Sequence, residues 1–171
     1  ELKLWQDAAQ WRTVLPEELA MTGESRAPGA SAIYLYTLRE RSDARFRDLD
    51  YRQIKVLTEE GRNLANIGIN YNKQTETILR IDARVIQPDG TIVPFNGTIY
   101  DRPLAANRSL SWHAKSFTLP DVRVGSVIEY RFWRTFTGLS STRWLLNQDL
   151  FTRHARFSLE LGDVPFAVAQ W

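Results

Sequence analysis

Residues 75–90 read TETILRIDARVIQPDG, and this stretch decides the fold. Leu79, Ile81, Ala83 and Val85 alternate with Arg80, Asp82 and Arg84, the period-two pattern of a β-strand with one face in a core and one in water. Pro88 presets φ and Gly90 accepts a positive φ, so the Pro-Asp-Gly turn should return residues 91–95 antiparallel as a hairpin. No reactive side chain stands on the strand. The stretch therefore argues for a β-rich, non-catalytic domain.

Working outward, the same signals predict short strands over 32–38, 49–58, 66–70, 114–119, 126–136, 144–151 and 156–161. Turn chemistry sits at the breaks: Glu59-Glu60-Gly61, Asn70-Tyr71-Asn72, Pro120-Asp121 and Gly125. Nine or so short strands read as mainly β, an antiparallel β-sandwich. Residues 101–111, with only Leu104, Ala105 and Ala106 to bury, read as a long surface loop. The first thirty residues differ. Leu4, Ala8, Trp11 and Leu15 recur at helical spacing, and Pro16 before Glu17 and Glu18 suits the first turn of a second short helix. The expected organisation is a partly helical lead-in over 1–30, a sandwich over 31–165, and the start of a linker or strand over 166–171.

The second informative stretch is Leu119–Phe136, LPDVRVGSVIEYRFWRTF. Ile128, Tyr130 and Phe132 share one face; Val127, Glu129, Arg131 and Trp133 share the other. Trp133 is the odd residue, since a tryptophan among charges either packs beneath an arginine or forms a platform for a ligand or partner domain. Glu129 and Arg131 are expected to form an ion pair on this outer face, a weak structural contribution.

The chain has 171 residues, 43% hydrophobic and 25% charged, which is ordinary for one globular domain with a sizeable core. Its cations are 18 arginines against 4 lysines, but they are scattered and the formal net charge is only +2, which weighs against nucleic-acid binding. There is no cysteine, so disulfides, thiolate metal sites and a thiol nucleophile are excluded from this segment. No apolar run reaches the roughly 20 residues that span a bilayer. The chain starts at Glu1 without a leader and stops at Trp171, and both ends read as cuts, with a signal peptide and further domains expected beyond them.

His113 and His154 are the only imidazoles. Neither lies in His-Glu-x-x-His spacing, and a hydrogen-bonding structural role is preferred over a metal or catalytic one for both. No nucleophile elbow, phosphate-binding loop or dinucleotide fingerprint occurs. Asp89 and Asp121 fall in turns, where an aspartate bonds its own backbone. Neither cofactor nor metal is expected. Six tryptophans, Trp5, Trp11, Trp112, Trp133, Trp144 and Trp171, are many for this length, and some are expected at an interface.

The order of YRQIKVLTEEGRNLANIGINYN, ILRIDARVIQPDGTIVPF and AKSFTLPDVRVGSVIEYRFW, from about Trp11 to about Leu161, resembles a bacterial domain of unknown function. That domain is found N-terminal to transglutaminase-like domains in secreted or periplasmic proteins. Its most specific pieces here are Ala83–Gly90 and Leu119–Tyr130, each a strand plus a turn. The resemblance implies a sandwich of the immunoglobulin-like or aminopeptidase N-terminal-domain type, without the metal site those enzymes carry elsewhere, in an exported protein. The expected function is a non-catalytic accessory domain that positions a downstream transglutaminase-like or peptidase-like domain or its polypeptide substrate. The alternative is a carbohydrate- or peptide-binding module in which Trp133 and Trp144 stack on the ligand and Arg131, Asn147 or Gln148 supply hydrogen bonds.

Overall fold

The Pro-Asp-Gly turn forms as its residues demand. Gly90 adopts a φ of 86°, its N–H donates to the Gln87 carbonyl at 2.9 Å, and the Asp89 carboxylate accepts the Thr91 N–H at 2.9 Å. In the computed structural model, which describes residues 10–106, 111–138 and 149–162, this turn joins β4 (Glu76–Ile86) to β5 (Ile92–Pro94). The other strands are β1 (Ala32–Ser42), β2 (Arg47–Val56), β3 (Asn66–Asn72), β6 (Tyr100–Ala106), β7 (Ser111–Thr118), β8 (Val127–Phe136) and β9 (Ala155–Glu160). A four-residue helix, α1 (Pro16–Leu19), precedes them, and a 3₁₀ helix over Glu60–Ala65 replaces the turn expected there.

The strands make two sheets, one of six in the order β5-β4-β8-β2-β1-β9 and one of three in the order β3-β7-β6. All pairs are antiparallel except β1 with β9. The core between the sheets takes Ile54, Val56, Val85, Ile128 and Phe132 from the larger and Ile67, Ile69 and Phe117 from the smaller. Ile128, Tyr130 and Phe132 thus share the inner face, as their spacing requires.

Four expectations are corrected. In β4 a register shift between Ile78 and Arg80 turns Ile78 onto the core and leaves Leu79 61% exposed, so the alternation holds only from Ile81 onward. Residues 100–106 form strand β6 rather than a loop. It is an edge strand interrupted at Pro103, so it carries neither the alternation nor the apolar content of an inner strand. Residues 10–15 have no helical turn and lie extended against the sheet, while residues 1–9 fall outside the described region. Of the strand expected over 144–151, residues 149–151 are not strand and residues 144–148 lie outside the described region.

The largest departure concerns the outer face of the six-stranded sheet. Ile33, Leu35, Ile86 and Val127 are buried there beneath Val14, Leu19, Met21 and Ala30, so the centre of this sheet is covered on both sides. The covering segment, residues 10–21, is a strap that crosses the strands.

Candidate functional site

Cross-strand register assembles the outer face beneath the strap. Gln53 of β2 stands opposite Glu129 of β8, which stands opposite Arg84 of β4; Tyr51, Arg131 and Asp82 form the next row. Side chains at paired positions point to the same face, so these six converge beneath Trp11 and Arg12.

Glu129 is at the centre and fully buried. Its Oε1 accepts from the Tyr51 hydroxyl and from Gln53 Nε2, both at 2.6 Å, and its Oε2 accepts from Arg84 Nε at 2.5 Å. Gln53 passes the network upward, accepting from Arg12 Nη1 and donating to the Arg12 carbonyl at 3.3 Å. Arg12 closes it with a two-pronged ion pair to the buried Glu18 of α1, at 2.9 and 2.7 Å. Burial alone would raise the Glu18 carboxyl, but Arg12 and the Leu15 N–H outweigh it and hold the group below the usual carboxylate range. Burial pushes the Tyr51 phenol upward, and its bond to the Glu129 carboxylate adds to that, so Tyr51 stays protonated and donating.

Glu129 and Arg131 do not form the pair expected from their spacing. The Glu129 carboxylate takes Arg84, while Arg131 takes Asp82 with Nε at 3.1 Å and Nη2 at 3.0 Å. Cross-strand neighbours stand directly opposite one another, whereas residues two apart on one strand are separated by a full pleat. Trp133 packs beneath arginines: the Arg80 and Arg131 guanidinium carbons lie 5.2 and 5.1 Å from its ring. Arg131 also lies 4.3 Å from the Trp11 ring, and Arg84 lies 4.6 Å from it. The result is a ladder of alternating cations and indoles along the strap. Trp144, Asn147 and Gln148 lie outside the described residues.

Sequence reasoning missed Arg12, Glu18, Tyr51, Gln53 and Lys55. Tyr51, Gln53 and Lys55 share one face of β2, but Asp50 and Arg52 between them are polar too, so no alternation in the sequence separates the two faces there. Lys55 is fully buried; its ammonium donates to the carbonyls of Leu19 and Gly125, each at 2.5 Å, and burial lowers its pKa to about 8.

On the smaller sheet, Asp101 accepts from the Tyr71 hydroxyl at 2.8 Å, pairs with His113 Nδ1 at 3.1 Å and with Lys115 at 3.2 Å. Burial opposes its ionisation, but these three partners outweigh burial and pull its carboxyl down to about 2. His113 is therefore a hydrogen-bonded histidine, and His154 is exposed. Among the described residues no group of three or more His, Asp or Glu side chains is placed to hold a metal ion, and no helix is long and apolar enough to cross a membrane. Chemically, the outer-face network fastens a strap: Glu129 is fully buried and each of its carboxylate oxygens accepts from the protein, so the group is closed to a solution ligand.

Comparison with known proteins places this architecture. A crystal structure of a candidate protease from Parabacteroides distasonis is similar over 63% of this chain, with a TM-score of 0.53 and 17% sequence identity, a likeness of fold. The aligned part is 23% of that protein, so this chain spans less than a quarter of its length. No curated protein matches the sequence. A family profile does match, over residues 45–169, from within the β1–β2 turn to beyond β9. By that match the chain belongs to DUF3857, a family of domains of unknown function with a solved structure.

Proposed function

We propose that this segment is a non-catalytic accessory domain of a larger exported protein, transglutaminase-like or peptidase-like, and that it positions the catalytic domain of that protein or its polypeptide substrate. The observation that carries the reading is the saturation of the outer-face network. Glu129 is enclosed by Tyr51, Gln53 and Arg84, and Arg131 is held by Asp82, so the acids and arginines that stand out in the sequence are spent on holding the strap to the sheet. Two further points support it: the ordered strand-turn motifs resemble a domain that precedes transglutaminase-like domains in periplasmic or secreted proteins, and the structural neighbour is far longer than this chain. The carbohydrate-binding alternative needs an open Trp133 face, over which Arg80 and Arg131 stand.

The test compares the 171-residue segment with the full-length protein in peptidase and transamidase assays. The segment alone should show no turnover, and its removal from the full-length protein should raise KM for a polypeptide substrate while leaving turnover of a small synthetic substrate unchanged. Turnover by the segment that disappears on His113→Ala or His154→Ala would overturn the reading.

A further inference from the structure

Among the described residues, the outer edge of β3 is unpaired and borders a cleft lined by an acid, Asp50, without a hydrogen-bond or ion-pair partner. β3 is an outer strand of its sheet. The Lys73 N–H donates to Ser111 and the Ala65 carbonyl accepts from Leu119, so the odd-numbered residues direct their backbone groups toward β7. The even-numbered residues point the other way: the Asn72 N–H bonds the Glu76 carboxylate at 2.7 Å, and the Asn70 carbonyl accepts from Arg134 at 3.2 Å. No register shift interrupts β3 against β7, so the N–H and C=O of Gly68 and the N–H of Asn70 also face outward. A Cβ placed on Gly68 would meet nothing within 4 Å, and both residues are exposed.

Beside this edge, between it and the inner face of the six-stranded sheet, lies a polar cleft of ≈ 250 Å³ lined by Arg39, Asp50, Arg52, Tyr130 and Arg134. Asp50 is 9% exposed and, among the described residues, makes no hydrogen bond or ion pair, although three guanidinium groups surround it at longer range. All three arginines are engaged elsewhere, Arg39 with Asp48 at 2.6 Å, Arg134 with Glu76 at 3.1 Å and Arg52 with the Tyr34 hydroxyl at 3.0 Å. Burial raises the Asp50 carboxyl against the pull of the arginines. The carboxylate opens onto the cleft, where a ligand's donor can meet it.

We infer that an extended polypeptide segment adds to the free edge of β3 and places a primary carboxamide, a glutamine or asparagine side chain, in the Asp50 cleft. Outward N–H and C=O groups on a strand edge are what an added strand pairs with, and neighbouring pockets read its side chains. The cleft then selects the chemistry. The Asp50 carboxylate accepts and the arginines donate, and a carboxamide meets both at once with separate groups on one planar head, its NH₂ toward Asp50 and its carbonyl toward a guanidinium. A lysine would bring a cation among three arginines, a glutamate would face Asp50, and a leucine would leave Asp50 unpaired. This inference rests on the accessory reading and narrows it to polypeptide capture.

The experiment is fluorescence polarisation of labelled eight-residue, β-branched host peptides carrying one guest, Gln, Glu, Lys or Leu, against the 171-residue chain. The Gln peptide should bind about tenfold tighter than each of the others. Asp50→Asn should invert the order in favour of Glu, because the cleft then offers donors without a competing carboxylate. Gly68→Pro, which removes an outward N–H, should weaken all four peptides. Guest-independent binding, no binding, or a ranking unchanged by Asp50→Asn would overturn the inference, and Asp50→Asn decides the matter if Gly68→Pro fails to fold. Absence of binding without turnover removes this inference and leaves the accessory reading standing; turnover by the segment removes the accessory reading itself.

Discussion

Glu129 and Lys55 are both fully buried charged residues on the outer face, and they are stabilised in opposite ways. Glu129 has donors on both oxygens and an arginine partner, so removing its charge strands Arg84. Glu129→Gln should cost about 3 kcal/mol, since breaking one side of a buried pair leaves an uncompensated charge, and chemical denaturation with an unchanged m-value measures it. Lys55 has two carbonyls and, among the described residues, no carboxylate. Its folded pKa of about 8 lies below the ordinary 10.5. Between those values the unfolded chain binds more protons than the folded one, so stability rises with pH across that window. Below pH 8 both states carry the charge and the folded state bears the cost of burying it. The melting temperature should therefore climb from pH 7.5 to pH 9.5, relative to Lys55→Met measured in the same buffers. A wild-type profile parallel to that of Lys55→Met would refute this account.

At the scale of the element, the strap is tied to the sheet at several points, and Arg12 carries the most polar of them. Arg12 reaches both oxygens of Glu18 and also Gln53, linking α1 to the sheet at one end, while Lys55 holds the Leu19 carbonyl at the other. Arg12→Ala leaves Glu18 buried and unpaired, and should cost about 2–3 kcal/mol. Hydrogen exchange should show the loss first at residues 10–21, with β2 and β8 still protected; uniform loss over the chain would mean that the strap is not a separate unit. This element also shows what sequence can and cannot reveal. The β4–β5 hairpin was legible because its cause is local, a Pro-Asp-Gly turn after an alternating strand. The inner face of β8 was legible for the same reason, since Ile128, Tyr130 and Phe132 stand two apart. β6 was not, because an edge strand holding Pro103, Asp101 and Arg102 lacks the apolar alternation that marks a strand. The buried outer face was not legible either. Whether Glu129 and Arg131 meet water is decided by Trp11 and Arg12, more than a hundred residues earlier, and no periodicity within 119–136 carries that information.

At the scale of the whole molecule, the smaller sheet has three strands among the described residues, and its apolar side chains share one core with the larger sheet. Ile67, Ile69 and Phe117 are buried only where they meet Ile54, Val85 and Ile128 of the larger sheet. Phe95, which leads from β5 toward β6, bridges the two: its N–H donates to the Ala83 carbonyl at 3.0 Å, and its ring lies 4.9 Å from that of Phe117. A three-stranded sheet gains stability from the surface it packs on, so both sheets should unfold in one step. That coupling suits a scaffold that holds a partner in a fixed position, because force on either sheet is borne by the shared core. Phe117→Ala removes a ring from that junction and should cost about 3 kcal/mol, the lower end for a large-to-small change in a core. The amide signals of β3 and β8, followed by NMR through a thermal melt, should disappear together in the wild type and together, at lower temperature, in Phe117→Ala. Earlier loss of the β3 signals would mean that the smaller sheet is a separate cooperative unit, and the sandwich would then be a poor device for positioning anything bound along its free edge.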